Sequence, residues 1–311
     1  MLEDPGLDTR ALADSLRAAY GIGASRFTFV PGHDPQAAAY DVAGPDGRWF
    51  AKVRFGPRSD VPLEVPRALL DAGVTNVLAP MRTHAGTLAH PLPDDRSLVV
   101  QPFVAGRDAM VAGMSAAQWR GFGSALRAVH DSGLEERFAD RLPVESFALP
   151  SAAVLRTVLD WAPSVRSSQA VRLRAFLDDA RDWIDAAIGR AEELGAVLRG
   201  RPHPRVLCHA DIHAANVLVA DDGRILMVGW DGPMLAPRER DLLFVIGSRI
   251  ARAVQPHEEA WFFEGYGAVE VDPEAIVYYR YERIIEDIGV DAAIVLADPA
   301  VPRRAVQSRS T

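Results

Sequence analysis

The residues best suited to chemistry lie close together in one short segment of the chain. His209, Asp211 and Asn216 follow the spacing H-x-D-x-x-x-x-N. An aspartate can orient a hydroxyl group and accept its proton, and an asparagine carbonyl oxygen can bind Mg²⁺. The pattern therefore indicates transfer chemistry at a hydroxyl. The alternative is that the three side chains only cap and stabilise a turn.

The sequence around this segment resembles a known family. Residues 206–219 resemble the Brenner-type phosphotransferase motif of the aminoglycoside phosphotransferase family, and residues 229–242 and 278–287 resemble its spectinomycin phosphotransferase branch. The resemblance implies a kinase-like α+β fold with a β-rich N-terminal lobe and a mainly helical C-terminal lobe. It also implies that Asp211 is the catalytic base, that Asn216 binds Mg²⁺, and that ATP or GTP donates the phosphate. His209 is expected to brace the loop.

Four residues are candidates for binding the nucleotide. Lys52 matches the family's strand lysine, whose charge could balance the α- and β-phosphates; the alternative is an ordinary exposed lysine. Glu64 resembles the glutamate that pairs with this lysine, although the helix dipole also favours a glutamate in a first turn. Gln101 and Phe103 lie in the predicted hinge, whose backbone could hold adenine. Pro102, between them, has no N–H to offer.

Two features depart from the family pattern. The loop expected to cover the phosphates, residues 30–37, lacks a G-x-G-x-x-G pattern. Gly229 stands where the family has an aspartate that binds Mg²⁺, so the usual pair with Asn216 is incomplete. Asp231 could bind the metal instead, because glycine frees the local backbone. The alternatives are a pseudokinase that binds a ligand without efficient transfer, or a fold reused for other chemistry.

Several acidic residues near the C-terminal end are candidates for binding a cationic acceptor. Carboxylates that converge on the cleft could hold the ammonium groups of an aminocyclitol-like molecule. On a helix, positions 282 and 286 share a face because they are four residues apart. Neighbouring arginines could instead pair with these carboxylates on a solvated surface. The candidates are Glu239, Asp241, Glu282 and Glu286.

Composition excludes several classes of protein. The 311 residues are 49% hydrophobic and 24% charged, which is typical of a globular protein with a sizeable core. A formal net charge of −8 argues against a broad nucleic-acid surface. A single cysteine fits a reducing cytoplasm. We also expect no signal peptide and no membrane span.

The elements needed to position these residues form two groups. Apolar periodicity and turn signals predict strands in the first group and helices in the second. The predicted strands cover residues 27–30, 37–43, 48–55, 77–78, 87–90 and 97–103, with helices over 7–20 and 61–73. Further helices are predicted after Ser115 and over 167–198, 238–250, 256–267 and 273–288, with short strands over 205–208 and 224–228.

This organisation predicts a nucleotide-binding lobe over residues 1–103 and a catalytic and substrate lobe over residues 104–311, with a cleft between them. We expect an ATP- or GTP-dependent O-phosphotransferase that acts on a small, cationic, aminocyclitol-like acceptor, in antibiotic resistance or natural-product tailoring. The rival is a metal-site-deficient protein on the same fold that binds a small molecule without efficient transfer. The sequence does not indicate an oligomeric state.

Overall fold

A five-stranded antiparallel sheet dominates the N-terminal part of the protein. In this computed structural model, which describes residues 3–32, 34, 36–160 and 168–296, the strands stand in the order β1-β2-β3-β5-β4. They are β1 (Arg26–Val30), β2 (Ala37–Gly44), β3 (Gly47–Phe55), β4 (His90–Leu92) and β5 (Arg96–Pro102). Helices α1 (Thr9–Tyr20) and α2 (Val61–Asp71) complete this part.

Local sequence explains where these elements begin and end. The Asp8 carboxylate accepts hydrogen bonds from two N–H groups in the first turn of α1, so it is the helix cap that the sequence predicts. Gly21 ends α1 with φ of 71°, a left-handed conformation that glycine adopts without strain. Gly47 turns the chain between β2 and β3 with φ of 147°. The turn sequence Pro45-Asp46-Gly47, which predicts a hairpin between the strands expected at 37–43 and 48–55, is therefore confirmed.

Helices form most of the C-terminal part. They are α3 (Ala109–Ala112), α4 (Ala116–His130), α5 (Glu135–Phe138), α6 (Pro150–Asp160), α7 (Ser168–Asp179), α8 (Arg181–Arg199), α9 (Glu239–Leu242), α10 (Pro256–Tyr266) and α11 (Pro273–Leu296). Short strands form two small sheets, β6-β8-β9 and β7-β10. These strands are β6 (Gly106–Asp108), β7 (Val206–Cys208), β8 (Val217–Ala220), β9 (Ile225–Met227) and β10 (Met234–Ala236).

The predicted α+β class is confirmed, but several elements differ from the prediction, including the strand expected at 87–90, of which only His90 belongs to a strand, β4. The helix expected over residues 167–198 is two helices, because the chain breaks at Ala180 between α7 and α8. The helix expected over 238–250 is only the short α9. The strand expected at 77–78 is a single bridge between Val77 and Met227. Across the part of the chain that the structure describes, no helix has the length and apolarity needed to cross a membrane.

One hydrophobic core joins α2 to the helical part. Val65 and Leu69 of α2 are fully buried in the same cluster as Trp119, Phe122 and Phe262. Burial of each large apolar side chain stabilises the fold by about 1.5–3 kcal/mol. α2 therefore follows β3 in the sequence but packs against the helices of the C-terminal part.

The small sheets position the segment that carries His209, Asp211 and Asn216. β7 ends at Cys208, and a single 3₁₀ turn at Ala214–Asn216 leads directly into β8. The N–H of Val228, just after β9, donates to the Asn216 carbonyl oxygen at 2.9 Å. The segment at 228–231 is thereby held beside the loop that contains Asp211.

Candidate active site

A buried carboxylate fixes the backbone of the loop after β7. The two oxygens of Asp241 accept the N–H groups of His209 and Ala210 at 2.9 and 2.7 Å. Asp241 also contacts His130 Nε2 at 3.0 Å. Ala210 has φ of 68°, a left-handed conformation that costs a non-glycine residue free energy. The bonds from Asp241 therefore hold the loop in a conformation that it would not adopt by itself.

His209 braces the loop from the other side, as predicted. Its Nε2 lies 2.8 Å from the Val228 carbonyl oxygen, and its ring packs on Trp230 with centroids 4.4 Å apart. Complete burial lowers the pKa of the imidazole and favours its neutral form. A neutral ring that donates to Val228 ties the loop to the segment after β9.

Asp211 lies at the tip of this loop beside a guanidinium group. Arg283 Nη1 donates to Asp211 Oδ1 at 2.5 Å, and His213 Nε2 lies 3.5 Å from Oδ2. Burial raises the pKa of the Asp211 carboxyl, but the contacts with His213 and Arg283 outweigh it and hold the pKa well below its ordinary value. Asp211 is therefore ionised at neutral pH.

Arg283 is itself fixed by several contacts. It projects from α11, donates through Nε to Asp287 at 3.0 Å and lies over the ring of Phe244 at 5.7 Å. Its position beside Asp211 is thus set by its surroundings. Sequence reasoning treated Arg283 only as a partner for surface carboxylates and missed its contact with Asp211. Its place in the segment 278–287 was the available signal.

Asn216 connects Asp211 to Gly229. Its Nδ2 donates to the Asp211 carbonyl oxygen at 2.7 Å and lies 3.4 Å from Asp211 Oδ2. Its Oδ1 faces Gly229, where an added Cβ atom would lie 2.6 Å away. Gly229 also has φ of 76°, which side chains rarely adopt. The space that a side chain at 229 would need is therefore filled by Asn216.

Lys52 reaches across from the sheet to the same region. Its Nζ donates to Asp231 at 3.2 Å and lies 3.6 Å from Asp34. Lys52 is the only lysine in the chain. Asp231 belongs to the segment just after Gly229, so this ion pair joins the N-terminal sheet to the region of Asn216. Asp34 was not singled out in the sequence, because its loop lacks a recognisable phosphate-binding pattern.

Glu64 does not pair with Lys52, so that expectation was wrong. The two Glu64 oxygens accept from the guanidinium of Arg141, both at 2.7 Å. The arginine contacts lower the pKa of the Glu64 carboxyl although its burial opposes this. Glu64 joins α2 to the helical part through this pair. Its place in the first turn of α2 also suits the helix dipole, as the alternative predicted.

In the predicted hinge, the Phe103 N–H and the Gln101 side chain both donate hydrogen bonds within the protein. The Phe103 N–H donates to the Arg48 carbonyl oxygen at 3.3 Å, and the Arg48 guanidinium lies 3.7 Å from the Phe103 ring centre. The Gln101 side chain donates to the Leu78 carbonyl oxygen at 3.3 Å. Along an antiparallel strand successive backbone groups point to opposite edges. The carbonyl of Pro102 therefore points away from β3.

Three acidic residues predicted to bind the acceptor are engaged inside the protein. Asp241 holds the loop after β7, and Glu239 is buried and accepts the Asp272 N–H at 2.9 Å. Both assignments to the acceptor site were wrong. Glu282 pairs with Arg240, as the alternative of arginine partners anticipated. Burial and the charge of Glu145 raise the pKa of Glu282 to about 7, although Arg240 lowers it.

Comparisons with known proteins show the family to which the chain belongs. The model of the phosphotransferase enzyme family matches residues 32–277. The chain belongs to this family. No curated protein sequence matches the chain significantly.

Solved structures similar to this phosphotransferase share its kinase-like fold. Spectinomycin phosphotransferase APH(9)-Ia, in complex with ADP and spectinomycin, aligns with a TM-score of 0.85 and 29% identity over 96% of this chain and 92% of that chain. The macrolide 2'-phosphotransferase MphH from Brachybacterium faecium has a TM-score of 0.60 and 17% identity over 96% of each chain. Choline kinase LicA from Streptococcus pneumoniae has a TM-score of 0.58 and 13% identity over 97% of this chain and 98% of that chain. The last two likenesses show the fold alone.

Within this phosphotransferase, contacts link the residues that the sequence had singled out. Asp211 contacts Asn216, the Asn216 amide oxygen faces Gly229, and Asp231 contacts Lys52. Asp34, Arg58 and Arg283 are the additional charged residues of this region that the structure reveals. Glu286 lies on α11 one turn after Glu282, and its negative charge contributes to the raised pKa there.

Proposed function

We propose that this protein transfers the γ-phosphoryl group of ATP or GTP to a hydroxyl of a small, cationic, aminocyclitol-like molecule. The observation that carries the proposal is the unbroken set of contacts from Asp211 through Asn216 and the 229–231 segment to Lys52. This set of contacts supports the proposal because the carboxylate that would act as the base and the lysine that would bind phosphate belong to one connected region. The N-terminal lobe, residues 1–103, would bind the nucleotide, and residues 104–311 would supply catalytic groups and the acceptor site.

Asp211 would bind the acceptor hydroxyl through one oxygen. Arg283 engages Oδ1 directly, whereas Oδ2 has the longer contacts to His213 and Asn216. A hydroxyl bound at Oδ2 would be held in line for attack and could release its proton to the carboxylate. Phosphoryl transfer has a loose transition state, so positioning and charge contribute more than the basicity of the aspartate. The lowered pKa of Asp211 is compatible with this role.

The oxygen donors of this region are of the chemical type that Mg²⁺ binds. The amide oxygen of Asn216 and the carboxylate of Asp231 are oxygen ligands of the type that Mg²⁺ binds. Mg²⁺ held by them would offset the charge of the nucleotide phosphates. Lys52 would bind the phosphates from the side of the sheet, and the backbone near Pro102 would hold the base.

The acceptor class is supported by similarity and charge. The spectinomycin phosphotransferase structure is 29% identical over almost the whole chain. A net charge of −8 favours the approach of a cationic molecule. We place the protein in the cytoplasm, where nucleotide is available and the single buried Cys208 stays reduced. Antibiotic resistance and natural-product tailoring are the two settings that suit such an activity.

The single lysine allows a direct test of the nucleotide site. An ATP or GTP acyl-phosphate probe should acylate Lys52, and excess free nucleotide should protect it, as read by peptide mass spectrometry. In parallel, phosphate transfer to a panel of aminocyclitols that includes spectinomycin should be lost in Asp211→Ala. Protection without transfer to any acceptor would favour the rival function, a nucleotide-binding protein without efficient transfer, which the glycine at 229 supports. Absence of both would overturn the proposal.

A further inference from the structure

Asp34 lies between two positive side chains at the edge of the sheet. Its Oδ2 is 3.6 Å from Lys52 Nζ and 3.4 Å from Arg58 Nη1, and its Oδ1 is 3.4 Å from Arg58 Nη2. Charge-assisted hydrogen bonds are normally about 2.7–2.9 Å long. One carboxylate is thus shared by two cations, and neither contact is close.

Arg58 is fixed beside Asp34, but not all of its N–H groups have hydrogen-bond acceptors. Its side chain is 11% exposed, and Nη2 donates to the Gln36 side-chain oxygen at 2.7 Å. Its buried Nε has no hydrogen-bond acceptor among the residues that the structure describes. A buried donor without an acceptor costs about 1–3 kcal/mol. Since the buried Nε is out of reach of a ligand, the donor capacity left for a further anion lies at the two Nη groups, whose contacts with Asp34 are long.

Asp34 alone cannot neutralise both Lys52 and Arg58, and the second negative charge at this position comes from Asp231. Lys52 has a second carboxylate partner in Asp231, whose side chain is 63% exposed. A nucleotide polyphosphate offers several oxygens and more negative charge than one aspartate, and a guanidinium binds phosphate oxygens through two N–H groups at once. Phosphate would therefore compete well against Asp34 for both cations.

We propose that Arg58 binds the nucleotide phosphates together with Lys52, and that Asp34 occupies their position when no nucleotide is bound. Arg58 then supplies positive charge to a site that lacks the family carboxylate at 229 and a glycine-rich loop. This inference rests on the proposed function, because it names a further residue of the same nucleotide site.

Calorimetric titration of the full chain with ATP, ADP and adenosine tests the inference. Arg58→Gln should weaken ATP and ADP binding about tenfold, the size expected for losing a charged phosphate contact, and leave adenosine binding unchanged. Arg58→Lys should be intermediate, because it keeps the charge and loses the paired N–H groups. Arg17→Gln is the matched control, since Arg17 pairs only distantly with Asp14 on the exposed face of α1.

Asp34→Asn separates phosphate binding from a purely structural role. If Asp34 competes with phosphate, this variant should bind ATP and ADP several-fold more tightly than the native chain. Equal ATP affinity in Arg58→Gln and the native chain would overturn the inference. So would an Asp34→Asn variant that binds as weakly as Arg58→Gln, because Arg58 and Asp34 would then only shape the loop. A native chain that binds neither ATP nor adenosine would instead overturn the proposed function itself.

Discussion

At the scale of single residues, the ion pair between Asp211 and Arg283 sets the charge of the proposed catalytic base. Burial favours the neutral carboxyl, and the contacts with His213 and Arg283 reverse this. With the pKa lowered, Asp211 stays ionised down to pH values below its ordinary titration. Loss of the guanidinium should therefore raise the pKa and move the acid limb of kcat/KM to higher pH.

We expect Arg283→Gln to show this shift and to lose at least about tenfold in kcat, because Asp211 would no longer be held in position to orient the acceptor hydroxyl. The measurement is kcat/KM for phosphate transfer between about pH 4.5 and 9. Arg280→Gln is the control, because Arg280 lies on the same helix and donates instead to the Ile246 carbonyl oxygen. Superimposable pH profiles for the native chain and Arg283→Gln would contradict this role.

Gly229 occupies a position where an added side chain would meet Asn216. A Cβ atom there would lie 2.6 Å from Asn216 Oδ1, and φ is 76°. Gly229→Ala should therefore lower the free energy of unfolding by about 1–3 kcal/mol, measured by urea denaturation. Gly232→Ala should change it by less than about 0.5 kcal/mol, because open space surrounds Gly232 and its φ is not in the left-handed region.

The same strain would act on Gly229→Asp, so we expect no gain of transfer activity from that variant without a second change at Asn216. Equal stabilities of the two alanine variants would show that the 229 backbone relaxes freely. In that case the contact between position 229 and Asn216 would not require glycine, and glycine would only remove a possible metal ligand.

At the scale of elements, the sequence predicted those whose signals are local. The Asp8 and Ser115 caps and the turn at Gly47 each involve residues within a few positions of one another, and the structure confirms them. Asp241 could not be placed this way. Its partners His130 and His209 lie 111 and 32 residues away, so its burial depends on tertiary packing.

The break between α7 and α8, and the helix α6, were missed for related reasons. Apolar periodicity continues through Ala180, where no proline or glycine marks an end. α6 packs against α11, a partner more than a hundred residues later, and no local signal indicates that the two helices pair. The assignments of Glu239 and Asp241 to the acceptor site failed because the sequence does not distinguish a carboxylate that binds a ligand from one that accepts backbone N–H groups inside the protein.

Helix α11 carries a group whose titration should be visible in stability. The pKa of Glu282 is raised from 4.5 to about 7 by burial and by Glu145, although Arg240 lowers it. Between about pH 4.5 and 7 the folded protein holds a proton that the unfolded chain has released. Stability should therefore fall as pH rises through this window, by up to about 3 kcal/mol.

Glu282→Gln should remove this slope relative to the native chain, because glutamine cannot ionise. The measurement is the free energy of unfolding in urea at pH 5, 6 and 7. Glu274→Gln, in the first turn of the same helix and paired with Arg201, should keep the native slope. Parallel curves for Glu282→Gln and the native chain would show that Glu282 is ionised in the folded protein throughout.

At the scale of the whole molecule, the ion pair of Lys52 with Asp231 joins the N-terminal sheet to the segment just after Gly229. Both side chains would therefore respond to a nucleotide bound as proposed. Two roles for Asp231 predict opposite results. As a Mg²⁺ ligand it would strengthen nucleotide binding, and as a partner for Lys52 alone it would compete with phosphate.

Asp231→Asn distinguishes these roles when ATP binding is measured by calorimetry with Mg²⁺ and with EDTA. If Asp231 binds Mg²⁺, the variant should lose most of the gain in affinity that Mg²⁺ gives the native chain, about tenfold or more, because amide oxygen is a poorer ligand than carboxylate for this ion. Its affinity in EDTA should rise, since Lys52 is released to the phosphates. If the variant keeps the full Mg²⁺ effect, Asp231 is not a ligand, and Asn216 is the one side chain still proposed to bind Mg²⁺. Positive charge from Lys52 and Arg58 would then compensate for the glycine at 229.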